Sequence, residues 1–220
     1  MALVLLVDTL TVQSVLQSDN LLLDLPILSA INWQHFYWQW QGFDLFKLLF
    51  WLLIPLCYVL RRGWRHIDWR WLSLRTATQS DWLILIILSL GGLAAILVIP
   101  HISGLSTTYL SPLAQMDDSA RAERAVASLI WVLCWLPGWE FMHRYILLRA
   151  VKTRWPVLGW LCVPLLESVY HLQKYWLEAL GMLVLSIILT RWTLARGSMA
   201  MPALLHGVIE LELILFLYMY

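Results

Sequence analysis

The sequence has little charge and few cysteines, and these shortages exclude several common classes of protein. Only 13% of its 220 residues are charged and 61% are hydrophobic, which lies outside the range of soluble globular proteins. The formal net charge is +1, and we expect no nucleic-acid partner. Cys57, Cys134 and Cys162 show no paired spacing, which excludes a disulfide framework and a zinc knuckle.

Long apolar segments make up most of the chain. A transmembrane helix needs about 20 apolar residues to cross roughly 30 Å of hydrocarbon, and hydropathy predicts several such spans. They are residues 43–60, 82–100, 125–148, 157–172, 177–190 and 200–219. Because the connections are short, we predict an all-α polytopic membrane protein, with a bundle of about six transmembrane helices over residues 43–220. No soluble domain of useful size fits.

Residues 1–42 are predicted to form a separate extracytoplasmic or interfacial segment. Its first part, "MALVLLVDTLTVQSVL", is apolar but lacks a basic start and a small-residue cleavage site, which favours an interfacial helix over a signal peptide. The following aromatic stretch, "NWQHFYWQWQGFD", suits the outer headgroup layer. His35 within it is interpreted as an interface residue.

Basic residues concentrate in alternate predicted loops. Lysine and arginine near span ends mark the cytoplasmic side, so these loops are predicted to be cytoplasmic and both termini extracytoplasmic. We expect an integral protein of a bacterial inner membrane. The basic residues are Arg61, Arg62, Arg65, Arg70 and Arg75 in the first loop, Arg149, Lys152 and Arg154 in the third, and Arg191 and Arg196 in the fifth.

Ionisable residues inside the predicted spans are the main functional signal. A charge near the bilayer centre costs on the order of 2.5–3.5 kcal/mol on insertion scales and usually faces a polar interior. Three helices each place a carboxylate four residues from a cation or an imidazole, and therefore on the same helix face. The pairs are Glu140 with Arg144, Glu167 with His171, and His206 with Glu210. Glu178 and Glu212 lie nearer the span ends and are interpreted as solvated or interfacial.

Such a set of side chains is suited to hydrolysis. Carboxylates and imidazoles in apolar surroundings can exchange protons with a bound water. Histidine nitrogen and glutamate oxygen are also common zinc ligands. The residues alone therefore leave two alternatives open, metal-free acid–base chemistry or a zinc site formed by His171, His206 and Glu210.

Three short stretches in this order resemble the CPBP family of intramembrane proteases, which includes the CAAX prenyl endopeptidases. "WEFMHR" (139–144) matches a Glu-Glu-x-x-x-Arg helix, "ESVYH" (167–171) a Phe-x-x-x-His helix, and "MPALLHGVIE" (201–210) a His-x-x-x-Asn helix. The resemblance covers about residues 120–215. It implies an endopeptidase without a cofactor that acts on a membrane-associated or lipid-modified peptide or protein in the lipid bilayer.

The resemblance also implies roles for individual residues. Glu140 and Arg144 would form the ion pair of the first motif, and His171 with a carboxylate would activate water. His206 and Glu210 would bind the oxyanion of the tetrahedral intermediate.

Three positions depart from the family pattern. Trp139 replaces the first glutamate, Glu167 a phenylalanine, and Glu210 an asparagine. Glu167 has no cation at helical spacing, so we expect it to accept protons in place of the missing glutamate. A non-catalytic scaffold that has lost its base is the main alternative function. A transporter is a further one, although no repeated halves with broken helices are visible.

Overall fold

The structure, a computed structural model, describes residues 4–10, 39–61, 63, 65 and 67–220. Its first element is helix α1, residues 4–10. A two-stranded hairpin follows, with β1 (Gln39–Trp40) antiparallel to β2 (Phe43–Asp44). The interface residue predicted at His35 and most of the aromatic segment around it lie outside the described residues.

Helices make up nearly all of the remaining chain, and two of them contain π-helical segments. Helix α2 comprises Leu45–Lys47, the π-helical Leu48–Leu53 and Ile54–Arg61. Helix α5 comprises Asp118–Glu140, the π-helical Phe141–Leu147 and Leu148–Arg154. The other helices are α3 (Gln79–Leu97), α4 (Ser103–Tyr109), α6 (Cys162–His171), α7 (Trp176–Arg196) and α8 (Ala200–Met219).

Short 3-10 turns connect several of these helices. Helix α3 begins at a capping box, in which Asp81 accepts hydrogen bonds from the Thr78 hydroxyl and backbone N–H at 2.7 and 2.8 Å. Helix α7 ends at Gly197, whose φ of +60° is left-handed. The 3-10 turns are Trp69–Leu72, Leu74–Thr76, Ile99–His101, Ser111–Leu113 and Gly159–Leu161.

The six predicted spans correspond to six helical segments, and successive segments run in opposite directions between the two ends of the bundle. The basic end brings together residues 67–79, 149–159 and 196–199, as shown by Arg149 near Asp68 at 3.7 Å and Ser198 bonded to the Ser73 carbonyl at 2.9 Å. The opposite end, called the cavity end, brings together residues 39–47, 103–116 and 171–178. Helices α2, α3, α5, α6, α7 and α8 run between these ends in alternating directions.

Four stretches, not six, are long and apolar enough to cross a membrane among the described residues: Gln79–His101, Asp118–Arg154, Trp176–Arg196 and Ala200–Met219. The chain is therefore an all-α polytopic membrane protein, as predicted. The predicted span at 157–172 is shorter than expected. Trp155, before Pro156, leaves the helical conformation with φ of −131° and ψ of 80°, and a 3-10 turn from Gly159 precedes α6. Helix α2 is also shorter than the four candidate spans.

An aromatic core lies between α2, α5 and α8. Trp51, Trp135 and Trp139 pack with Leu5 of α1 and Ile214 of α8. Helix α6 packs on α7, α3 on α8, and the π-helical segment of α2 on α5. These contacts place the motif-bearing helices α5, α6 and α8 around one region.

Candidate active site

The first motif forms a buried ion pair on α5, as its spacing predicts. Arg144 Nη1 donates to Glu140 Oε1 at 2.6 Å, and both side chains have at most 1% of their surface exposed. The same oxygen accepts a hydrogen bond from His206 Nδ1 at 2.6 Å. Glu140 thus connects the first motif on α5 to the third motif on α8.

Glu167 joins this cluster from α6 and contacts a cation, although none lies at helical spacing from it. Arg144 Nη2 donates to Glu167 Oε2 at 3.1 Å, and His143 Nδ1 lies 3.7 Å from Glu167 Oε1. Sequence spacing could not show this contact, because the cation is 23 residues away on a different helix. One guanidinium therefore bridges two buried carboxylates.

His171 pairs with Glu178 and not with Glu167. His171 Nδ1 lies 2.9 Å from Glu178 Oε1, and the two residues come from the adjoining ends of α6 and α7. Glu178 also accepts hydrogen bonds from Lys174 at 2.6 Å and from Tyr109 at 2.5 Å. Glu178 remains 15% exposed near the end of its helix, but its three partners were not predicted from the sequence.

Tyr109 supports this group from α4. Burial raises the pKa of the Tyr109 phenol above its ordinary value, so the phenol stays neutral and donates to Glu178 Oε2. The carboxylate thus has three donors around it. Glu178 is held in a fixed orientation and holds His171 in turn.

Glu212, the other acid interpreted as solvated or interfacial, lies between two helices. The Ser89 hydroxyl of α3 donates to Glu212 Oε1 of α8. Its second oxygen is buried and has no hydrogen-bond partner among the described residues. That interpretation is wrong, because α3 covers this face of α8.

Trp139, which by the motif resemblance takes the place of a glutamate, is a buried aromatic residue of the site. Its indole is 1% exposed and lies against the rings of His143 at 4.1 Å and Tyr170 at 5.1 Å between centroids. His171 approaches the same indole edge-on at 6.3 Å. Trp139 therefore contacts both a ring of the buried cluster and the ring of His171, as part of an aromatic wall.

A cavity of about 720 Å³ opens beside this wall at the cavity end. His171 and Glu210 both line it, whereas Glu140, Arg144, Glu167 and His206 are not among its lining residues. His206 Nε2 lies 3.9 Å from Glu210 Oε1, so Glu210 lies between the buried cluster and the cavity. The aromatic lining is Trp40, Trp51, Tyr109, Trp131, Trp135, Trp139 and Tyr170, and the charged lining comprises Lys47, Arg124, Lys174, Glu178 and Glu210.

Of the three side chains proposed for a zinc site, His206 and Glu210 lie near each other, at 3.9 Å, but the three do not form one ligand group. His171 is bonded to Glu178 and His206 to Glu140. Among the described residues, no group of three or more histidine, cysteine, aspartate and glutamate side chains is arranged to hold a metal ion. The donor set for the zinc alternative is therefore incomplete in this structure.

Several residues at the site carry no family motif. The pairing of Glu178 with His171 could have been suspected from their separation of seven residues across a helix junction, where adjoining ends meet. The contacts of Lys47 and Tyr109 with distant helices left no local signal in the sequence.

Comparison with known proteins identifies the family of this core. Residues 121–211 match the family model described as type II CAAX prenyl endopeptidase Rce1-like. No curated protein and no solved structure matches the chain. The match supports a function of the CAAX-type intramembrane protease kind. This match confirms, over residues 121–211, the resemblance to the CPBP intramembrane proteases that the three motifs predict. The matched segment contains Glu140, Arg144, Glu167, His171, His206 and Glu210.

Proposed function

We propose that this protein is an intramembrane endopeptidase that hydrolyses a peptide bond of a membrane-associated or lipid-modified substrate held in the cavity. The observation that carries the proposal is the His171–Glu178 pair at the cavity wall. The side chains of His171 and Glu178 are 18% and 15% exposed, so water and substrate can reach them. A histidine oriented by a carboxylate beside a substrate-sized cavity is suited to general base catalysis.

In this proposal His171 activates the attacking water. A carboxylate only accepts hydrogen bonds, so Nδ1 of His171 carries the hydrogen and its Nε2 lone pair can take a proton from water. The water oxygen bonds to the scissile carbonyl carbon as that proton moves to Nε2. The proton then passes to the leaving nitrogen as the carbon–nitrogen bond breaks, while Glu178 stabilises the transient imidazolium.

The buried cluster has a supporting role in the proposal. Glu140 fixes the His206 ring through Nδ1, which leaves Nε2 on the side of Glu210 and the cavity. His206 and Glu210 are proposed to bind the developing oxyanion, for which Glu210 must be protonated to donate a hydrogen bond. The ion pair of Glu167 with Arg144 speaks against Glu167 as the base.

A non-catalytic scaffold is the second candidate function. Trp139 favours it, because no carboxylate stands at the position that the family uses for its first glutamate. In that case the cavity would bind a membrane-associated peptide without cleaving it.

Complementation separates the two functions. Cells lacking the gene would receive the wild-type protein, His171→Gln or the control His101→Gln, which alters an exposed histidine outside the cavity lining. Membrane proteins whose size depends on the gene would then be compared by mass spectrometry. We expect His171→Gln to leave these proteins uncleaved and His101→Gln to restore cleavage. Full restoration by His171→Gln would contradict the hydrolytic mechanism and favour the scaffold.

A further inference from the structure

Helix α1 packs into the aromatic core through one face. Leu5 is buried in the same hydrophobic cluster as Trp51, Trp135 and Trp139, and the partly buried Val4 packs against this cluster. Asp8 lies one turn further along the same face and is also buried. An apolar helix with one acidic residue therefore lies against three tryptophans of the aromatic core.

The carboxylate of Asp8 is bound by two side chains of the bundle. Lys47 Nζ contacts both oxygens at 2.5 Å, and the Tyr170 hydroxyl donates to one of them at 2.5 Å. Lys47 is itself 2% exposed and lies 4.3 Å from the centroid of the Trp51 ring. Charge-assisted hydrogen bonds of this kind are stronger than neutral ones.

The residues that bind α1 are also residues of the cavity wall. Lys47, Trp51 and Tyr170 line the cavity, as do Trp135 and Trp139. Helix α1 therefore shares these wall residues with the cavity, whereas none of the residues 4–10 lines it. Its link to the bundle is long, since 28 residues, 11–38, separate it from β1.

We infer that Lys47 and Tyr170 form a carboxylate-binding subsite of the cavity. Asp8 occupies this subsite in the structure, and an acidic side chain of an apolar substrate segment occupies it when α1 is displaced. The inference rests on the proposed function in that the cavity receives a peptide. It gives the substrate a chemical class, an apolar segment with an aspartate or glutamate, and makes α1 an internal competitor.

The subsite remains supported when Asp8 is removed. Lys47 Nζ also lies 4.0 Å from Asp44 Oδ2 and 3.4 Å from the Tyr170 hydroxyl, and the face of Trp51 stabilises a cation. A variant without the Asp8 carboxylate is therefore expected to fold with a vacant cationic subsite.

Peptide binding tests the inference without requiring cleavage. The probes are two fluorescent peptides with the sequence of residues 1–12 and blocked termini, one with aspartate and one with asparagine at position 8. Binding to the full-length Asp8→Asn protein is measured by fluorescence anisotropy in detergent micelles. We expect the aspartate peptide to bind at least about tenfold more tightly than the asparagine peptide, because only it forms the charged hydrogen bonds. Wild-type protein should bind it more weakly, because tethered α1 competes.

Two variants complete the test. Thr9→Val alters the same helix without touching the carboxylate and should bind like wild type. Asp8→Leu/Lys47→Met replaces the buried pair by apolar residues, which proteins often tolerate, and should lose the preference for aspartate even if Asp8→Asn protein proves unstable. Equal affinity of both peptides for folded Asp8→Asn protein would overturn the inference, as would an aspartate preference that survives in the Asp8→Leu/Lys47→Met protein. Absence of cleavage would instead count against the proposed function alone.

Discussion

At the scale of single residues, Arg144 is the centre of the buried cluster. It neutralises Glu140 on its own helix and Glu167 on α6, and none of the three is accessible to water. Removing the guanidinium would leave two buried carboxylates facing each other. The cluster is therefore expected to contribute mainly to the stability of the motif-bearing helices.

Substitutions in this cluster separate stability from catalysis. We expect Arg144→Met to lower the free energy of unfolding by about 3–5 kcal/mol, because it strands two buried charges. Glu167→Gln should lower it by about 1–3 kcal/mol, because Arg144 keeps Glu140 as a partner. Glu123→Gln, on an exposed position of the same helix α5, is the matched control and should change little. The measurement is denaturant unfolding in detergent.

The same variants test which carboxylate serves catalysis. Glu167→Gln protein should still cleave substrate at temperatures where it remains folded. Loss of cleavage with unchanged stability would show that Glu167 is the base after all, as the sequence alone suggested.

The arrangement of individual side chains also predicts whether the activity depends on a metal ion. Each of the two site histidines has a carboxylate partner through Nδ1, and no third ligand is arranged beside either ring among the described residues. We predict that activity resists EDTA and that purified protein contains much less than one zinc per chain by mass spectrometry. Stoichiometric zinc would contradict this prediction.

Only part of this chemistry could be predicted from the sequence. The Glu140–Arg144 pair follows from a separation of four residues on one helix. The bonds of Arg144 to Glu167 and of His171 to Glu178 depend on how α5, α6 and α7 meet, which periodicity does not encode. The partners of Glu178 could not be predicted from its position near a span end, because they come from α4 and from the junction of α6 and α7.

At the scale of elements, the close approach of α2 and α5 depends on Gly138. A Cβ atom at this position would lie 2.7 Å from the backbone carbonyl carbon of Trp51, so a side chain would force the two helices apart. The π-helical segments of α2 and α5 contact each other beside this crossing. Such segments are often found at functional sites.

We expect Gly138→Ala to destabilise the protein by about 1–3 kcal/mol through overpacking. Gly181→Ala is the matched control, because its Cβ would meet no atom within 4 Å and helical alanine is favoured over glycine by about 0.5–1 kcal/mol. Unfolding midpoints of both variants measure the difference. Equal midpoints would show that the crossing can relax without cost.

Helix α6 is too short to cross a membrane unaided. Its ten residues extend about 15 Å, against roughly 30 Å of hydrocarbon. Its C-terminal residue, His171, lines the cavity. A hydrated cavity would therefore bring water to the C-terminal end of α6.

Thiol labelling tests this hydration in a variant without the three native cysteines. Gln173→Cys, on the cavity lining, should react quickly with a hydrophilic maleimide. Leu165→Cys, at an exposed apolar position of α6, should react slowly, because lipid excludes the reagent. Similar rates at both positions would show that the cavity is closed to water.

At the scale of the whole molecule, the alternating directions of the six helices determine which loops and termini lie on the same side of the membrane. The basic end contains Arg149, Arg154 and Arg196, whereas α1 and the end of α8 both lie at the cavity end. The order of the segments was predictable from hydropathy, whereas only four stretches of the described residues, and not the six predicted, are long and apolar enough to cross a membrane. The unequal lengths of the segments were not predictable, because a hydrophobic run does not show where Pro156 and Gly159 interrupt the helix.

The distribution of positive charge predicts the orientation of the bundle. A reporter fused after Arg75 or Arg196 should be cytoplasmic, and one fused after Tyr220 should be extracytoplasmic. Alkaline phosphatase and green fluorescent protein fusions provide complementary readouts. A cytoplasmic C-terminus would contradict the predicted orientation and place the cavity on the inner side.

The tryptophans of the cavity wall give the molecule an optical signature. Ring centroids are 5.5 Å apart for Trp131 and Trp135, 6.2 Å for Trp135 and Trp139, and 5.1 Å for Trp139 and Trp51. Indoles held at such separations couple electronically, and fixed aromatic packing produces near-ultraviolet circular dichroism that is lost when tertiary structure loosens. The spectrum should therefore report the state of the cavity directly, before any substrate is known.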